Sequence, residues 1–399
     1  MLTRLRFKNW RSLRDVTIDN LTPLTVFIGA NSSGKTNIVD AMSFLRRMFR
    51  ENTPEAIYFQ GERENIRTLG IDDNEPLELE LSSQPDKTDY RLTYALIMQP
   101  EGKIIHFSEQ LKDDSTGKIA FQATDGAGGL YLQGTKFIGL SNRFTPPSLA
   151  FPMLRTFLNQ SADEALFTDF LPHIQMSVYC SHHWQLLREN FMPPSSLPLS
   201  EEHDAYMIDR DARNVAFMLD FMQKVAPEVT GELRADLTWL LDHVENLKIV
   251  ADDRETRITI NENVLQGQTA PTISGGTARI IAMLTAYYAL DLQLAEMPGL
   301  LVIEEPDMAV HPALLRRLVE LFREYVSREG HPRQIILTTH NPQLLNWFEP
   351  EEVRVVERDE NGDTHINLIP PSIKEIWLDG GKYGLGDVWM TRSLGGVPE

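Results

Sequence analysis

The octapeptide GANSSGKT at residues 29–36 constrains this chain more than any other feature. It matches the pattern G-x-x-x-x-G-K-[ST], follows the apolar run LTVFI at residues 24–28 and precedes a helical pattern. In such a loop, the glycines let backbone N–H groups close around phosphate oxygens, and the following helix presents its positive N-terminal end. The sequence therefore predicts a phosphate-binding loop between a buried strand and a helix. The alternative interpretation is a glycine-rich turn that binds nothing.

Two side chains of the octapeptide carry chemistry of their own. In a loop of this kind, the lysine reaches the β- and γ-phosphates of a nucleotide, and the final hydroxyl can bind Mg²⁺. The sequence therefore predicts Lys35 as a catalytic residue and Thr36 as a metal ligand.

The segment LLVIEEPD at residues 300–307 is an apolar run that ends in two adjacent carboxylates. Acidic pairs usually face solvent, but the four apolar residues before this pair indicate the end of a buried strand. Successive side chains of a strand point to opposite faces. One carboxylate can therefore turn toward a metal while the other faces the γ-phosphate and an attacking water. The pattern predicts that Glu304 and Glu305 share these two roles.

Two further motifs place polar side chains at the ends of predicted elements. IILTTHNP at residues 335–342 is a strand that ends in a polar cluster, where His340 can contact a γ-phosphate or orient a water. The alternative role of His340 is to cap the next helix. TISGGTAR at residues 272–279 is a Ser-Gly-Gly turn that opens a helix. It offers backbone donors to an anion, or is no more than a helix cap.

The remaining pattern predicts an α/β fold with three regions. Short alternating runs between about 75 and 140 indicate an antiparallel sheet of hairpins. Helical spacing dominates from about 150 to 248, and the last third alternates strands with helices, which favours a largely parallel sheet. We predict a first part at 1–150 with the phosphate loop and the antiparallel sheet, an inserted helical lobe at 151–260, and a second part of the first domain at 261–399.

Composition excludes several protein classes. With 42% apolar and 24% charged residues, the chain of 399 residues is neither disordered, collagen-like nor a disulfide scaffold. The single thiol, Cys180, cannot form an intrachain disulfide, which suits a reducing compartment. The N-terminus has no apolar signal region, and no run of about 18 uncharged apolar residues occurs. We therefore expect a cytoplasmic protein without a membrane partner.

The net charge of −19, from 38 basic and 57 acidic residues, argues against a protein that coats nucleic acid through phosphate contacts. A basic patch must therefore be local. Eight basic residues are candidates for such a patch, but a solvated strand edge and a helix end explain them better than a DNA-binding surface does. These candidates are Arg4, Arg6, Lys8, Arg11, Arg14, Arg46, Arg47 and Arg50.

In the order 29, 274, 304 and 340, the four motifs resemble those of the ABC-type ATPase heads. They are more narrowly similar to the RecF/SMC-like group, which includes the overcoming-lysogenization-defect (OLD) nucleases and the stand-alone AAA ATPases of bacterial phage-defence systems. The segments that carry the resemblance are LTRLRFKNWRSLRDVTI, EEPDMAVHP and TTHNPQLL, and LGDVWMTRSLGGVP is similar to the stand-alone members. The resemblance covers about 1–60 and 265–350.

The resemblance implies an ATP site shared by two copies of the chain. It implies ATP and Mg²⁺ as cofactors and a head-to-head homodimer as the active unit, with a higher oligomer left open. Glu305 would be the general base, His340 the switch histidine and Glu304 a ligand of Mg²⁺, while Asp307 would belong to a loop that communicates across the dimer. The implied contacts with ATP are Gly29, Asn31, Ser32, Ser33, Gly34, Lys35, Thr36 and Asn37 of one copy and Ser274, Gly275 and Gly276 of the other.

This chain departs from the ABC pattern at three places. Glu304 stands where many ABC proteins have aspartate. Two kinds of contact with Mg²⁺ therefore stay open for it, one direct and one through water. The signature begins with Ile273 and has Thr277 where transporters usually carry glutamine, while Arg279 suits the RecF-like variant. For the glutamine loop, the candidate is Gln60.

The function that this resemblance implies is a Mg²⁺-dependent ATPase whose dimerisation gates an action on nucleic acid, in an anti-phage defence or DNA-repair complex. The expected partners are a separate effector, which would be a nuclease or a toxin, and DNA. The alternatives are a slow ATP-binding scaffold or sensor that sequesters a partner protein, and the nucleotide-binding subunit of a transporter.

A self-contained nuclease of the OLD type is a further alternative. Because 49 residues follow position 350, we expect no appended nuclease domain. Several late acids are simply explained as loop and turn residues, namely Asp359, Asp363, Asp379 and Asp387. The group of Cys180, His182 and His183 lacks a second cluster at metal-ligand spacing, so the sequence does not predict a metal site there.

Overall fold

A computed structural model describes most of the chain, in two compact units. The first unit comprises Met1–Ile174, Pro350–Leu378 and Trp389–Glu399, and the second comprises Gln175–Glu349 and Asp379–Val388. The described residues are 1–50, 65–84, 91–101, 104–125, 127–132, 135–140, 176–180, 212, 214–251, 256–263, 265–269, 272–292, 299–328, 333–373 and 383–397. Four residues discussed above lie outside them: Gln60, His182, His183 and Asp379.

The described residues contain both strands and helices. The strands are β1 (Leu2–Trp10), β2 (Leu13–Ile18), β3 (Leu24–Ile28), β4 (Leu77–Ser83), β5 (Leu92–Glu101), β6 (Ile104–Asp113), β7 (Ile119–Thr124), β8 (Ala127–Leu132), β9 (Thr135–Leu140), β10 (Met176–Cys180), β11 (Val244–Ala251), β12 (Thr256–Glu262), β13 (Gln268–Thr269), β14 (Leu300–Glu304), β15 (Gln334–Thr339), β16 (Val353–Arg358) and β17 (Thr364–Leu368). The α-helices are α1 (Lys35–Arg50), α2 (Val215–Val225), α3 (Pro227–Leu240), α4 (Gly275–Ala289), α5 (Pro312–Ser327), α6 (Pro342–Leu345) and α7 (Leu385–Met390). Among the residues described, no helix is both long enough and apolar enough to cross a membrane.

In the first unit, eight strands form an antiparallel sheet in the order β2-β1-β4-β5-β6-β7-β8-β9. Alternating apolar residues set its buried face, since successive side chains of a strand point to opposite sides. Phe7 of β1 lies opposite Leu79 of β4, and both side chains are fully buried. The predicted antiparallel sheet is confirmed, and it also includes the two N-terminal strands.

The other face of β1 and β4 carries charges. Arg4 and Arg6 contact Glu80 at 3.1 and 2.9 Å, and Lys8 contacts Glu78 at 2.9 Å. Because β1 lies between β2 and β4, these three basic residues are not at a sheet edge, and the strand-edge interpretation is wrong for them, whereas Arg14 lies in β2, the edge strand. Their acidic neighbours neutralise the row, which therefore offers little positive charge to a nucleic acid.

Three other strands of the first unit support the octapeptide. Strand β3 is buried throughout and runs parallel to β16, which pairs antiparallel with β17. Helix α1 follows the loop and buries the apolar positions spaced three and four residues apart: Ile38, Ala41, Met42 and Leu45. Phe44 of this helix packs on Trp10 of β1, with ring centroids 5.0 Å apart. The predicted strand, loop and helix are therefore present in that order.

The second unit contains the parallel strands β10, β14 and β15. Their register aligns Cys180, Glu304 and Thr338 at the carboxyl ends. In α/β sheets this is the end at which ligands bind. Helix α4 is buried from Thr277 through Ala289, so it is a core element of this unit. The parallel strand pairing predicted for the last third of the chain is present.

The described part of the predicted helical lobe contains strands as well as helices. Helices α2 and α3 lie within it, but β11 begins at Val244, where the sequence predicted continued helix to 248. The reason is an alternation of period two: Leu247 of β11 lies opposite Ile260 of β12, and both side chains are buried. The predicted boundaries at 150 and 260 stay predictions.

Candidate active site

The octapeptide loop leaves the end of β3 and is shaped by its two glycines. A Cβ atom on Gly29 would lie 2.2 Å from the carbonyl oxygen of Val356, so only glycine fits where the loop meets β16. Gly34 has a φ of +113°, which L side chains rarely adopt, and a Cβ there would lie 2.1 Å from Thr364 Oγ1. Close backbone packing therefore requires both glycines of the pattern.

Lys35 begins α1 and is only 6% exposed. Its Nζ atom donates hydrogen bonds to the carbonyl oxygens of Gly29, at 2.7 Å, and Ala30, at 2.8 Å. These two contacts hold the ammonium group against the loop backbone, beside the N-terminal end of the helix. The ammonium charge and the helix dipole both attract an anion, so the loop has the electrostatics of a phosphate site.

The other predicted loop residues differ in their surroundings. Ser33 is buried, whereas three residues are exposed, namely Asn31, Ser32 and Thr36. Asn37 donates from Nδ2 to Ser12 Oγ at 2.6 Å, so its side chain braces the loop against the turn before β2. The contacts of all these residues with a nucleotide stay predictions.

Two hydroxyl side chains that sequence reasoning missed support the loop. Thr364 Oγ1 donates to the carbonyl oxygen of Ser33 at 2.9 Å and lies 2.7 Å from Ser12 Oγ. Thr364 is 2% exposed, and its backbone N–H donates to the carbonyl oxygen of Ser12 at 2.8 Å. Because these residues come from opposite ends of the chain, no local pattern could have identified them.

The carboxylate pair stands at the end of β14, as predicted. Glu304 ends the strand and is 2% exposed, and Glu305 follows it with a φ of +48°. A positive φ at a residue other than glycine costs roughly 1 to 3 kcal/mol, so the surroundings must hold it. The Glu305 N–H donates to the carbonyl oxygen of Thr338 at 2.9 Å. This turn fixes the direction in which the Glu305 side chain leaves the strand.

The structure brings Glu305 and His340 together. His340 Nδ1 lies 3.0 Å from Glu305 Oε1, and the two side chains are 44% and 16% exposed, respectively. An ionised carboxylate only accepts hydrogen bonds, so Nδ1 carries the proton in this contact. The arrangement joins a carboxylate that can accept a proton from water to a histidine that fixes its orientation.

Asp307 follows Glu305 by two residues and is 7% exposed. Its Oδ1 atom accepts a hydrogen bond from Thr339 Oγ1 at 2.9 Å, and burial raises the pKa of its carboxyl group. Asn341 caps α6 by accepting the N–H of Gln343 at 2.9 Å. The alternative role of His340 as the capping residue is therefore wrong, because Asn341 performs it.

The Ser-Gly-Gly turn caps α4. Ser274 Oγ accepts the N–H of Thr277 at 3.1 Å, so Ser274 is the N-cap of the helix. A Cβ atom on Gly276 would lie 2.7 Å from the carbonyl oxygen of Ala309. Arg279 donates from Nη1 to the carbonyl oxygen of Met308 at 2.6 Å. The start of α4 therefore packs on the loop that follows the acidic pair, and its role toward a second copy stays a prediction.

The predicted metal ligands, Thr36 and Glu304, present oxygen atoms, which are the ligands that Mg²⁺ prefers. Thr36 belongs to the first unit and Glu304 to the second. Within the described ranges, no group of three or more His, Cys, Asp and Glu side chains could hold a metal ion. Mg²⁺ usually combines one or two protein ligands with phosphates and waters. Each of these two side chains is therefore chemically suited to Mg²⁺ that arrives with a nucleotide.

Two of the late acids accept backbone hydrogen bonds, Asp359 in the turn after β16 and Asp387 at the start of α7. Asp359 Oδ1 accepts the N–H of Asn361 at 2.9 Å, and Asp387 Oδ2 accepts the N–H of Gly384 at 2.9 Å. A hydrogen bond from His365 lowers the pKa of Asp359 to about 2. The interpretation as a turn residue is confirmed for Asp359. It is wrong for Asp387, which lies in the first turn of α7, where its carboxylate accepts the N–H of the residue before the helix.

A protein family described as "AAA domain, putative AbiEii toxin, Type IV TA system" matches residues 24–346. The match covers more than half of the chain and contains the phosphate loop, the acidic pair and His340. The chain belongs to this family. The predicted membership of the RecF/SMC/OLD-like ATPases is confirmed.

Individual relatives share parts of this sequence. The OLD nuclease of Thermus scotoductus is 24% identical over 381 residues, which are 92% of this chain and 64% of that protein. The DNA replication and repair protein RecF of Acinetobacter baumannii is 45% identical over 56 residues, which are 14% of this chain and 16% of RecF. The chain therefore spans less than two thirds of the length of either relative.

The fold has a counterpart among solved structures. An Smc head bound to the C-winged helix domain of ScpA superposes with a TM-score of 0.57, at 12% identity, over 93% of this chain and 98% of that chain. At this identity, the likeness establishes the fold alone. The predicted class, an α/β ATPase head of the ABC type, is confirmed.

Proposed function

We propose that this protein is a Mg²⁺-dependent ATP hydrolase. The observation that carries the proposal is the 3.0 Å contact between Glu305 and His340 beyond the ends of two buried parallel strands. Glu305 holds a strained backbone conformation to make this contact, and strain of this kind concentrates at functional sites. Membership of an ATPase family and a loop with the electrostatics of a phosphate site support the same chemistry.

Each residue has a proposed role in hydrolysis. Lys35 presents its ammonium group to the β- and γ-phosphates, where it neutralises charge that develops during transfer. Glu305 accepts a proton from the attacking water, and His340 keeps that carboxylate oriented through its Nδ1–H. Bound Mg²⁺ would neutralise further charge on the phosphate oxygens, and Thr36 and Glu304 would hold it.

The proposal extends to assembly. The N-terminal end of α4, with residues 274–276, would close over ATP held by a second copy, because backbone N–H groups at a helix start bind anions. Hydrolysis would then open the homodimer and switch a separate effector, a nuclease or a toxin, in cytoplasmic DNA maintenance or anti-phage defence. The names of the relatives, a nuclease and a DNA replication and repair protein, support a function connected with DNA.

Turnover by the purified full-length protein tests the proposal. We expect phosphate release that requires Mg²⁺ and stops with a chelator, and a shift to the mass of a dimer when ATP is added. Stable ATP binding without phosphate release would overturn the hydrolase and favour the slow scaffold or sensor. Plasmid and single-stranded DNA belong in the same reactions. Cleavage by this protein alone would replace the separate effector with a self-contained nuclease, the activity in the name of the OLD relative.

A further inference from the structure

The C-terminal segment LGDVWMTRSLGGVP has no part in the proposed chemistry, yet its end contacts the phosphate loop. The N–H of Ala30 donates to the carbonyl oxygen of Gly396 at 2.7 Å, within the first unit. Gly395 and Gly396 have φ values of +74° and +68°, so a tight turn built on two glycines delivers this carbonyl group. We call residues 394–396 the C-terminal turn.

The contact acts on one peptide plane of the loop. In a trans peptide, the C=O and N–H groups point in opposite directions. The plane between Gly29 and Ala30 is held on both sides, because Gly396 accepts its N–H and Lys35 Nζ donates to its C=O at 2.7 Å. Rotation of this plane would displace the oxygen atom that Lys35 contacts. The C-terminal turn therefore influences the position of the Lys35 ammonium group through a single peptide plane.

Glu357 of β16 holds the C-terminal turn in place. Its Oε1 atom accepts the N–H of Gly396 at 2.6 Å, and its Oε2 atom accepts from Asn367 Nδ2 at 3.0 Å. Hydrogen bonds to a carboxylate are stronger than those between neutral groups. Gly395 has a positive φ, and a Cβ atom on it would lie 2.0 Å from Glu357 Oε1, so a side chain at that position would be strained and would displace the turn from the carboxylate.

The loop and the C-terminal turn share the same strand as their support. Val356 carries the carbonyl oxygen that excludes any side chain from Gly29, and Glu357 follows it in β16. We propose that the C-terminal turn, clamped by Glu357, is a positioning element that orients Lys35 for nucleotide binding. This inference rests on the proposed ATP-binding function and assigns to Glu357 and Gly396 a role that their sequence positions do not suggest.

ATP affinity and steady-state kinetics of Glu357 variants of the full-length protein test the inference. In Glu357→Ala the turn loses its clamp, so we expect the Kd and the KM for ATP to rise roughly tenfold. The kcat should change less than about twofold, since Glu305 and His340 are untouched. Glu357→Gln keeps an acceptor for the Gly396 N–H and should restore most of the affinity. If the role of Glu357 were purely structural, Glu357→Ala would not raise KM while leaving kcat nearly unchanged, and Glu357→Gln would not restore the affinity.

Asp387→Ala is the matched control. Its carboxylate also accepts a glycine N–H, that of Gly384 at 2.9 Å, immediately before the same C-terminal segment but in the second unit. This variant should bind ATP as the parental protein does. Parental affinity in a folded Glu357→Ala, or an equal loss in Glu357→Gln or Asp387→Ala, would overturn the inference. If Glu357→Ala does not fold, Gly395→Ala replaces it, with the same expectation, because it displaces the turn and keeps the carboxylate.

Lys35→Ala separates this inference from the proposed function. If the parental protein bound no ATP, or if Lys35→Ala bound it equally well, the proposed function itself would fail. If the parental protein binds ATP and Lys35→Ala binds it at least roughly tenfold more weakly, the phosphate-loop assignment stands. A normal affinity in Glu357→Ala would then contradict only the role of the C-terminal turn.

Discussion

The phosphate loop and the acidic strand end are built from different atoms. In the loop, backbone groups make the decisive contacts, since two carbonyl oxygens hold the Nζ atom of Lys35. At the strand end, side chains contact each other, with Glu305 against His340 and Asp307 against Thr339. A site made of backbone depends on glycines and on neighbouring strands, whereas a site made of side chains depends on individual functional groups. Substitutions should therefore affect the two regions differently.

Glu305→Gln should have the largest effect and should remove catalysis without removing binding. Glutamine keeps the shape and a hydrogen-bonding group but cannot act as the general base, so hydrolysis should fall by at least roughly a hundredfold. ATP and Mg²⁺ should now trap the closed dimer, which a shift in molecular mass would show. Hydrolysis at the parental rate would mean that the acidic pair has been misinterpreted.

Glu304→Gln is the matched control for this variant. Its carboxylate is the neighbour in sequence, ends the same strand and is 2% exposed. Because its proposed partner is the metal and not the water, the concentration of Mg²⁺ needed for half-maximal activity should rise first. Identical kinetics in the two variants would show that the pair does not divide its roles.

Lys35→Ala should act on the loop in the opposite way and remove binding. Loss of a charge-assisted contact with the phosphates should weaken ATP binding roughly tenfold to a hundredfold in a nucleotide titration. Lys8→Ala is the control, since that lysine pairs with Glu78 on the sheet surface and should leave the affinity unchanged. Unchanged affinity in Lys35→Ala would contradict the phosphate-loop assignment.

The difference between the phosphate loop and the acidic strand end also explains which features could be predicted from the sequence. The loop is a local pattern, so the strand, the glycines, Lys35 and α1 could all be placed from one octapeptide. The contact of Glu305 with His340 depends on the register of β14 and β15, which only the folded sheet defines. The support of the loop by Thr364 joins residues 331 positions apart, and no periodicity signals such a contact.

Gly34→Ala should destabilise the first unit by about 2 kcal/mol, because it combines an unfavourable φ with a close contact. The new Cβ atom would lie 2.1 Å from Thr364 Oγ1. Gly70→Ala is the control, since its φ of +78° is also positive but, among the described residues beyond its two chain neighbours, no atom lies within 4 Å of the added Cβ. We expect a smaller loss there, about 1 kcal/mol, in chemical unfolding. Equal losses would show that the contact with Thr364 contributes nothing.

Asp307→Asn should have the smallest effect and should appear as a change in the pH dependence of stability. Burial raises the pKa of Asp307 in the folded protein, so the folded state binds this proton more tightly than the unfolded chain does. Stability of the parental protein should therefore fall as pH rises from about 4, the ordinary carboxyl pKa, through the raised value. Asparagine carries no charge and keeps an acceptor for Thr339 Oγ1, so the variant should lack this loss.

Chemical unfolding between about pH 4 and pH 7 measures the difference. The stability of the asparagine variant relative to the parental protein should increase with pH, by an amount on the order of 1 kcal/mol. Asp242→Asn provides the control, because that side chain is 80% exposed and removal of its charge should produce no such trend. A pH profile for Asp307→Asn parallel to that of the parental protein would mean that the buried carboxylate is compensated by its neighbours. In that case, side-chain contacts alone would stabilise the buried charge of Asp307, just as backbone carbonyl groups stabilise the buried charge of Lys35.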